Sequence, residues 1–398
     1  MPQASNCPPQ EDQRLPPATG AWQETDPVGD RRFAELGSLD LELGGRIPAV
    51  RVAYELLGTV NDSADNVVVV LHALTGDAHV AGQPGPGHPT PGWWDQIVGP
   101  GRALDTDRWA VLCANVLGGC QGTTGPSSRA PDGRPWGSRW PRTTIRDQVA
   151  VELALLDHLG VQRATAVIGG SMGGMRALEW AVGAPHRVGA ALVLAVGAAA
   201  TTDQIATQSV QLRAILGDPG WAGGDYHLAR PGDGPHAGLG LARRIAQLTY
   251  RTDTELEARF GRAAQPGEDP LGPSVAGSSA GSGRFAVQSY LDHQADTLIR
   301  RFDAGSYVAL TDAMSTHDIG RGRGGVPAAL RAVQLPLVVA GIDSDRLYPL
   351  RLQAEIAALV PTAEELRVIA SPHGHDAFLL ESVQVGKLVE ETLARSVG

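Results

Sequence analysis

The chain has 398 residues, with 33 basic and 43 acidic side chains, a net charge of −10 at pH 7, 42% hydrophobic residues and three cysteines. The length allows one large domain or two of ordinary size, and the acidic balance without a long Lys/Arg run argues against binding of nucleic acid or of an anionic membrane surface. The longest apolar stretch, at residues 189–200, is shorter than the about 20 residues that cross a bilayer, so no membrane span is predicted.

Residues 1–36 are rich in Pro, Gln, Asp and Gly and show no apolar period. We expect them to form a disordered N-terminal arm, which we exclude from the search for a site. The chain starts without the basic-then-apolar pattern of a secretory signal, and Cys7, Cys113 and Cys120 are odd in number with no metal-type spacing. These features favour a reducing cytoplasm and a protein without a metal site.

Short β-branched runs alternate with helical patterns from residue 46 onward. The runs lie at residues 46–58, 67–72, 109–116, 164–170, 189–196, 335–342 and 365–371. Continuous apolar strands separated by helices indicate an α/β fold, with a mostly parallel sheet and helices on both faces.

The spacing of apolar residues predicts three helices beside this sheet. Thr144 and Asp147 suit a capping box at the start of the first helix. Apolar residues recur every three or four positions at Ile145, Val149, Leu153 and Leu156, at Met175, Leu178 and Val182, and at Val385, Leu388, Val389 and Leu393.

The roughly 140 residues between the runs ending at 196 and starting at 335 far exceed the dozen or so that a simple crossover needs. We therefore expect an inserted helical lid at residues 198–325, between core segments at 37–197 and 326–398. Within the lid, the sequence predicts a long helix at 285–302 and a flexible loop at 266–283.

The strongest local signal is the sequence Gly-Gly-Ser-Met-Gly at residues 169–173, between an apolar strand and a helix. This is the G-x-S-x-G elbow, whose sharp turn exposes Ser171 above the sheet and points the N–H groups of the following helix at charge near its oxygen. An ordinary glycine-rich turn or a phosphate cradle is the alternative. The Walker-type Lys is absent and the glycines do not fit G-x-G-x-x-G, which favours Ser171 as a nucleophile.

A serine hydroxyl needs a base to remove its proton, and a third group must orient that base. In the α/β-hydrolase arrangement an acid and then a His follow later strands. Asp343 and Asp345 follow the run at 335–342, and His373 and His375 follow the next run. Spacing alone does not decide between the two members of either pair.

An oxyanion hole takes one N–H from the residue after the nucleophile and a second from the loop after an early strand. The first donor is then Met172. The loop after the run at 67–72 supplies the second, for which we choose Leu74.

Eight segments, one of which contains the elbow, carry a resemblance to a known family. They are LHALTGDAH (71–79), NVLGGCQGTTGPSS (115–128), VIGGSMGGMRALEW (167–180), GGDYH (223–227), LARRIAQLTYR (241–251), SYLDHQAD (289–296), DRLYPLRLQ (345–353) and GHDAFL (374–379). These segments resemble the homoserine O-acetyltransferase family of methionine biosynthesis, a family with the α/β-hydrolase fold and an inserted helical lid. The resemblance extends from about residue 37 to residue 397.

The resemblance implies the roles of the site residues. It assigns the nucleophile to Ser171, the acid to Asp345 and the base to His375. It places the substrate carboxylate on Arg243 and the substrate ammonium on Asp376. Further implied features are a pocket lined by Tyr250 and a homodimer formed through the lid, where Phe285, Tyr290, Leu291 and Leu298 offer apolar surface.

The function that this resemblance implies is transfer of an acetyl group from acetyl-CoA to L-homoserine through an acetyl-serine intermediate, with ping-pong kinetics and neither metal nor bound cofactor. A serine O-acetyltransferase, a homoserine O-succinyltransferase and an esterase with the same triad are the alternatives. A catalytically silent binding protein of the same fold is a further one.

Two weaker signals remain. Residues 320–325 formally satisfy G-x-G-x-x-G without a preceding strand, and Arg321 and Arg323 of this segment are candidates to meet the phosphates of CoA. Cys120 has no evident base nearby and is expected to be structural.

Overall fold

An eight-stranded sheet forms the centre of the structure, a computed structural model that describes residues 15–273 and 283–396. The sheet order is β1-β2-β6-β3-β7-β8-β9-β10, and β4 pairs separately with β5. The strands are β1 Arg32–Asp40, β2 Arg46–Leu57, β3 Val67–Leu71, β4 Val98–Gly99, β5 Leu104–Asp105, β6 Ala110–Ala114, β7 Ala164–Gly170, β8 Val188–Leu194, β9 Leu337–Ile342 and β10 Arg367–Ile369. Pairing is antiparallel in β1-β2-β6 and parallel from β6 to β10.

Helices cover both faces of the sheet. They are α1 Ile145–His158, α2 Met172–Gly183, α3 Thr202–Leu216, α4 His236–Tyr250, α5 Asp253–Phe260, α6 Ala286–Arg301, α7 Ala304–Ser315, α8 Val326–Arg331, α9 Leu350–Leu359, α10 Ala377–Leu380 and α11 Ser382–Ser396. Successive side chains of β3 enter different hydrophobic cores, with Val69 in one and Val68 and Val70 in the other. The predicted mostly parallel sheet with two covered faces is confirmed.

Helix α1 begins with the predicted capping box. The side-chain oxygen of Thr144 accepts from the N–H of Asp147, and the Asp147 carboxylate accepts from the N–H of Thr144 at 2.8 Å. These two bonds satisfy backbone donors that the first turn of a helix leaves without partners. The capping box holds α1 beside α2, the helix that follows Ser171.

Six helices of the described chain, α3 to α8, lie between β8 and β9, and the first five, α3 to α7, fall within residues 198–325, where the sequence predicts an insertion. We call these five helices and their connections the helical insertion. Within it α4 packs against α3 and α6, and α6 matches the predicted long helix. Of the predicted loop at 266–283, residues 274–282 lie outside the described part of the chain.

The predicted disordered arm at residues 1–36 is wrong for its described part. Residues 1–14 lie outside the described residues, but β1 begins at Arg32 and pairs with β2. Upstream of β1, Thr19 donates to Asp303 over 2.8 Å, and the N–H of Trp22 donates to the carbonyl oxygen of Cys120 over 3.0 Å. Polar composition suggested disorder, whereas long-range hydrogen bonds and two buried alanines hold this segment on the protein.

The cysteines at positions 113 and 120 are buried free thiols, and burial raises the pKa of each. A buried thiol with a raised pKa is a poor nucleophile, which fits a structural role for Cys120. Across residues 15–273 and 283–396, no helix is both long and apolar enough to traverse a membrane.

Candidate active site

Ser171 lies at the tip of the turn between β7 and α2. Its φ of 58° and ψ of −125° form a left-handed backbone conformation that is costly for a residue with a Cβ. The turn is tight because its glycines lack side chains: a Cβ on Gly173 would overlap the carbonyl oxygen of Leu71, and one on Gly169 would overlap that of Gly173. The strained elbow therefore depends on the glycines that flank the serine.

Ser171, His375 and Asp345 form a continuous hydrogen-bonded chain. Nε2 of His375 lies 2.8 Å from Oγ of Ser171, and Nδ1 of His375 lies 2.7 Å from Oδ2 of Asp345. All three side chains are buried. The structure thus brings together a hydroxyl, an imidazole and a carboxylate in the order that activates a serine for nucleophilic attack.

The two candidate acids occupy different positions in the loop after β9. Oδ1 of Asp345 accepts from the N–H groups of Leu347 and Tyr348 at 2.8 and 2.9 Å, which leaves Oδ2 for the imidazole. Oδ1 of Asp343 accepts instead from the N–H of Ser371 at 3.0 Å. Asp343 therefore fastens the loop after β10, and Asp345 orients the histidine.

The two candidate bases also separate. The N–H of His373 donates to Oγ of Ser371 over 3.2 Å, and His373 has no hydrogen bond to Ser171 among the described residues. The ring of His375 lies 5.1 Å from the ring of Tyr348, measured between centroids. Only His375 is in place to exchange a proton with the serine.

The pKa of His375 is raised above its ordinary value of 6.5. Burial on its own lowers this pKa, but the charge and hydrogen bond of Asp345 act in the opposite direction and prevail. The carboxylate therefore strengthens the imidazole as a base and stabilises its protonated form.

The two predicted oxyanion donors belong to α2 and to the loop after β3. Met172 is the first residue of α2, so its N–H has no acceptor within the helix. Leu74 follows β3 in a turn closed by the N–H of Gly76, which donates to the carbonyl oxygen of Ala73 at 3.0 Å. Leu74 lines the same cavity as Ser171.

Two arginines fix the loop that carries Leu74. Arg176 of α2 is fully buried, donates to the carbonyl oxygen of His72 and forms an ion pair with Glu152. Nη1 of Arg301 donates to the carbonyl oxygen of Thr75 over 2.8 Å. Burial lowers the pKa of His72 to about 3, so its ring is neutral where it accepts from the backbone. The loop is therefore held rigidly at both ends, as preorganised donors require.

A cavity of about 420 Å³ lies above Ser171, between the ends of the strands and the helical insertion. The sequence-predicted residues that line it are Leu74, Ser171, Arg243, Tyr250, His375 and Asp376. Its size is within the range of small-molecule sites. One cavity therefore collects five of the predicted polar and aromatic side chains together with a predicted oxyanion donor.

Helix α4 presents Arg243 and Tyr250 to this cavity. The guanidinium carbon of Arg243 lies 5.7 Å from the centre of the Tyr250 ring, and Nη2 donates to Oε1 of Gln294 at 3.3 Å. Burial raises the pKa of Tyr250. Arg244, the next residue, is exposed and pairs with Asp292 away from the cavity. Only the first arginine of the pair faces the site.

Asp376 is paired within the protein. Its Oδ2 lies 3.1 Å from Nε of Arg251, just beyond the end of α4. Burial raises the pKa of Asp376, and the charge of Arg251 counteracts this effect. The carboxylate that the resemblance assigns to a substrate ammonium thus already has a cationic partner.

Sequence reasoning missed Arg251 and Gln247, which line the cavity beside Arg243. Oε1 of Gln247 is buried without a hydrogen-bond partner, and its Nε2 donates to the hydroxyl of Tyr290 at 2.6 Å. A signal was present for Gln247, because it follows Arg243 by four residues and therefore shares one face of α4, whereas Arg251 lies just beyond the end of the helix.

The arginines of residues 320–325 are engaged elsewhere. Arg321 pairs with Glu42 over 2.8 Å, and Arg323 pairs with Glu179 in the later part of α2. A side chain at Gly183 would contact Nη2 of Arg323, so this arginine lies beside the end of α2. Gly183 is about 16 Å from Met172 along the helix axis. These arginines stabilise the fold at a distance from Ser171 and do not line its cavity.

Among the described residues, one cluster has the donor atoms of a metal site. Single ligand atoms of Asp30, Glu55, His79 and His88 all lie within 4.8 Å of one another. The Glu55 carboxylate lies 3.1 Å from the ring of His79 and 3.2 Å from that of His88. These contacts offset the cost of burying the charge of Glu55. None of the four residues belongs to the hydrogen-bonded chain of Ser171, His375 and Asp345.

Comparisons with known proteins place this geometry in a family. Residues 66–382 match the family model described as the alpha/beta hydrolase fold. The homoserine O-acetyltransferase of Thermobifida fusca (strain YX) is 60% identical over 380 residues, which cover 95% of this chain and 98% of that protein.

Two solved structures are similar throughout. Homoserine O-acetyltransferase from Bacillus anthracis aligns with a TM-score of 0.80 at 26% identity, covering 91% of this chain and 97% of that one. Esterase E22 aligns with a TM-score of 0.81, also at 26% identity, covering 91% and 99%. One fold thus serves a transferase and an esterase, so the choice between them depends on the sequence relatives and on the cavity.

Proposed function

Because the chain belongs to the homoserine O-acetyltransferase family, acyltransferases with the α/β-hydrolase fold, we propose that it transfers an acetyl group from acetyl-CoA to the hydroxyl of L-homoserine. The transfer passes through an acetyl ester of Ser171. The observation that carries this mechanism is the hydrogen-bonded chain from Ser171 through His375 to Asp345. No metal and no bound cofactor take part in the proposed steps.

The first half-reaction acylates Ser171. Nε2 of His375 removes the hydroxyl proton while Oγ attacks the carbonyl carbon of the thioester, and the N–H groups of Leu74 and Met172 donate to the resulting oxyanion. The C–S bond then breaks, CoA leaves with the proton from His375, and acetyl-Ser171 remains. Asp345 stabilises the imidazolium that forms between these events.

The acceptor binds next to the acetyl ester. Arg243 pairs with the homoserine carboxylate through its planar guanidinium, and its cavity position supports this role. Asp376 accepts from the substrate ammonium, and the charge of Arg251 favours the ionised form of the carboxylate. Tyr250 forms one wall of the cavity beside Arg243.

The second half-reaction reverses the first with a different nucleophile. His375 removes the proton from the homoserine hydroxyl, whose oxygen attacks the acetyl carbon. The ester bond to Oγ of Ser171 breaks, and His375 returns the proton to that oxygen. O-acetyl-L-homoserine leaves, and the kinetics are ping-pong.

Exclusion of water separates this reaction from hydrolysis. An acetyl-serine exposed to bulk solvent would be hydrolysed, so a transferase needs a covered approach to the ester. The helical insertion covers the cavity through α4 and α6, which contribute Arg243 and Gln294 to its lining. This cover is the proposed reason for the insertion.

An esterase is the second candidate, and the similarity to esterase E22 favours it over the remaining alternatives. Its triad would perform the same acylation, and water would replace the amino acid in the second step. A cationic residue and an anionic residue in the same cavity, Arg243 and Asp376, suit a zwitterionic acceptor better than water.

Product analysis tests the proposal. The purified full chain is supplied with acetyl-CoA or succinyl-CoA, each with L-homoserine, L-serine or no amino acid, and the products are identified by mass spectrometry. O-acetyl-L-homoserine as the main product supports the proposal. Release of free acetate at the same rate with and without amino acid contradicts it and supports the esterase, and a main product from serine or succinyl-CoA identifies the corresponding transferase.

The proposed enzyme is a homodimer formed through the helical insertion. Leu241 and Leu248 of α4 are 50% and 45% exposed, and they are seven residues apart on one face of the helix. Leu298, which the sequence suggested for this surface, is instead buried in the core. The exposed leucines of α4 are therefore the part of the insertion best suited to a second copy.

A further inference from the structure

The loop that carries the proposed base is bonded to two different parts of the molecule. This loop, residues 371–376, follows β10, ends where α10 begins and contains His375. We call it the base loop. Residues of the loop after β9 contact it, and so do residues at the end of α4 in the helical insertion. The position of Nε2 of His375 therefore depends on both sets of contacts.

Two residues of the loop after β9 hold the base loop from the core. Oγ of Ser344 donates to the carbonyl oxygen of Ser371 and accepts from the N–H of Gly374 at 3.0 Å. Oδ1 of Asp343 accepts from the N–H of Ser371 at 3.0 Å. These bonds join the base loop to the segment that contains Asp345, so the acid and the base are fixed relative to each other.

The connection between α4 and α5 holds the base loop from the helical insertion. This connection is two residues long, Arg251 and Thr252. The hydroxyl of Thr252 donates to the carbonyl oxygen of Pro372 over 2.6 Å. Nε of Arg251 lies 3.1 Å from Oδ2 of Asp376. One contact therefore precedes His375 along the base loop and the other follows it.

Close packing at Gly374 adds a steric restraint. Its φ of 64° is left-handed, and a Cβ there would lie 2.6 Å from the carbonyl oxygen of Tyr250 and 3.3 Å from Cγ2 of Thr252. The base loop thus approaches the end of α4 more closely than a side chain at this position would allow. A shift of that helix end is therefore transmitted to the residue that precedes His375.

Thr252 is buried and does not line the cavity above Ser171. Its hydroxyl also caps α5 by accepting from the N–H of Glu255 at 3.0 Å. The hydroxyl thus uses its proton for the base loop and a lone pair for the helix. Because a threonine side chain has one donor, an apolar replacement leaves the carbonyl oxygen of Pro372 without this bond.

We propose that Thr252 is a positioning residue for the acetyl transfer: by bonding to the base loop, it sets the position of Nε2 of His375 relative to Oγ of Ser171. This role rests on the proposed function. It gives the helical insertion a second task besides covering the cavity, because the helix that presents Arg243 to the acceptor also fixes the base. The rate is sensitive to such placement, since an error of about 1 Å can cost about 10²-fold.

Removal of the hydroxyl tests this role. Thr252→Val keeps a β-branched side chain of similar shape, and Thr252→Ser keeps the hydroxyl. Acylation by acetyl-CoA and transfer to homoserine are measured separately by rapid quench on the full-length chain. We expect Thr252→Val to lower both rate constants by a similar factor, about five- to twentyfold, because His375 moves the proton in both steps. KM for homoserine should change less than about twofold, and Thr252→Ser should retain at least about half of both rates.

Thr201→Val is the matched control, because Thr252→Val also removes a helix cap. Thr201 caps α3, another helix of the insertion, by accepting from the N–H of Gln204 at 3.3 Å, and among the described residues its hydroxyl has no bond to the base loop. Loss of this cap should lower the melting temperature and leave both rate constants unchanged. Thr252→Asp separates the two functions in the other direction, since its carboxylate can cap α5 but has no proton for Pro372. It should show the losses of Thr252→Val.

The outcomes separate the positioning role from the proposed function. Similar losses in both half-reactions of Thr252→Val or Thr252→Asp, with recovery in Thr252→Ser and full rates in Thr201→Val, support the role. Wild-type rate constants in either of the first two variants overturn it while leaving acetyl transfer intact. An equal loss in Thr201→Val also overturns it, because the effect would then come from helix capping. Failure of the wild-type chain to form an acetyl-enzyme from acetyl-CoA would instead overturn the proposed function.

Discussion

Oδ2 of Asp345 lies 2.7 Å from Nδ1 of His375, and the other oxygen of the same carboxylate accepts from two backbone N–H groups. The backbone donors fix the carboxylate, and the carboxylate in turn fixes the tautomer of the imidazole, so that Nε2 faces Ser171 as a proton acceptor. Orientation of the base therefore depends on a loop of the sheet, remote in sequence from the serine.

Replacement of this carboxylate should remove most of the activity. We expect Asp345→Asn to lower kcat by about 10⁴-fold, because the amide presents an N–H or a weaker acceptor to Nδ1 and disfavours the active tautomer. Asp343→Asn is the control, since Asp343 contacts the backbone of Ser371 and not the histidine. Steady-state acetyl transfer measures both, and similar losses in the two variants would contradict the assigned roles.

The rate of acylation should depend on the protonation of His375. Its pKa is raised above 6.5 by the charge and hydrogen bond of Asp345, which prevail over burial. Only the neutral imidazole accepts the serine proton, so kcat/KM for acetyl-CoA should fall toward acid pH with a midpoint above 6.5. A pH profile of the first half-reaction with a midpoint below 6.5 would count against this environment.

The same raised pKa has a consequence for stability. A histidine whose folded pKa exceeds its unfolded pKa binds protons more tightly in the folded state. The contribution of the His375–Asp345 pair is therefore fully present below the unfolded value of about 6.5 and is lost as the pH rises through the folded pKa. Comparison of the pH dependence of unfolding in the wild type and in His375→Gln would detect it.

The two half-reactions should respond differently to loss of Arg243. We expect Arg243→Ala to lower kcat/KM for homoserine about 30- to 200-fold, which corresponds to loss of a charge-assisted hydrogen-bonded pair with the carboxylate. Formation of the acetyl-enzyme from acetyl-CoA, measured by rapid quench, should change little. Arg244→Ala should leave both unchanged, and an Arg243→Ala variant impaired equally in both half-reactions would contradict the assignment.

The oligomeric state should depend on the exposed face of α4. We expect sedimentation velocity to show a dimer for the wild type and a monomer for the double variant Leu241→Glu, Leu248→Glu, because two charges cannot be buried in an apolar interface without partners. Val383→Glu is the control, since Val383 is 73% exposed on α11, outside the helical insertion. A monomeric wild type would refute the dimer.

Local patterns in the sequence were sufficient to predict the elbow and seven strands of the main sheet, β2, β3 and β6 to β10, but not the edge strand β1. Strands β3, β7 and β8 are fully buried, and their uninterrupted apolar runs distinguish them from half-exposed strands. The turn around Ser171 needs glycine where backbones approach each other, so its motif carries the geometry directly. In these segments the neighbouring residues determine the structure.

Contacts between distant segments were not predictable in the same way. Spacing left Asp343 and Asp345 equally placed, and the resemblance to a family favoured Asp345, which the structure places on the histidine. The backbone hydrogen bond from Trp22 to Cys120 and the ion pair of Asp376 with Arg251 join remote elements. Composition cannot report such contacts, because a polar segment is ordered when its partners lie elsewhere in the chain.

The formation of an acetyl ester on Ser171 is the central claim, and intact-protein mass spectrometry tests it most directly. The wild-type chain is mixed with acetyl-CoA, digested to locate any adduct, and then treated with homoserine; Ser171→Ala is handled in parallel. The account predicts one added acetyl group on the peptide that contains Ser171, its removal by homoserine with release of O-acetylhomoserine, and no such adduct on the variant. Acetyl transfer by Ser171→Ala at the wild-type rate would contradict the account.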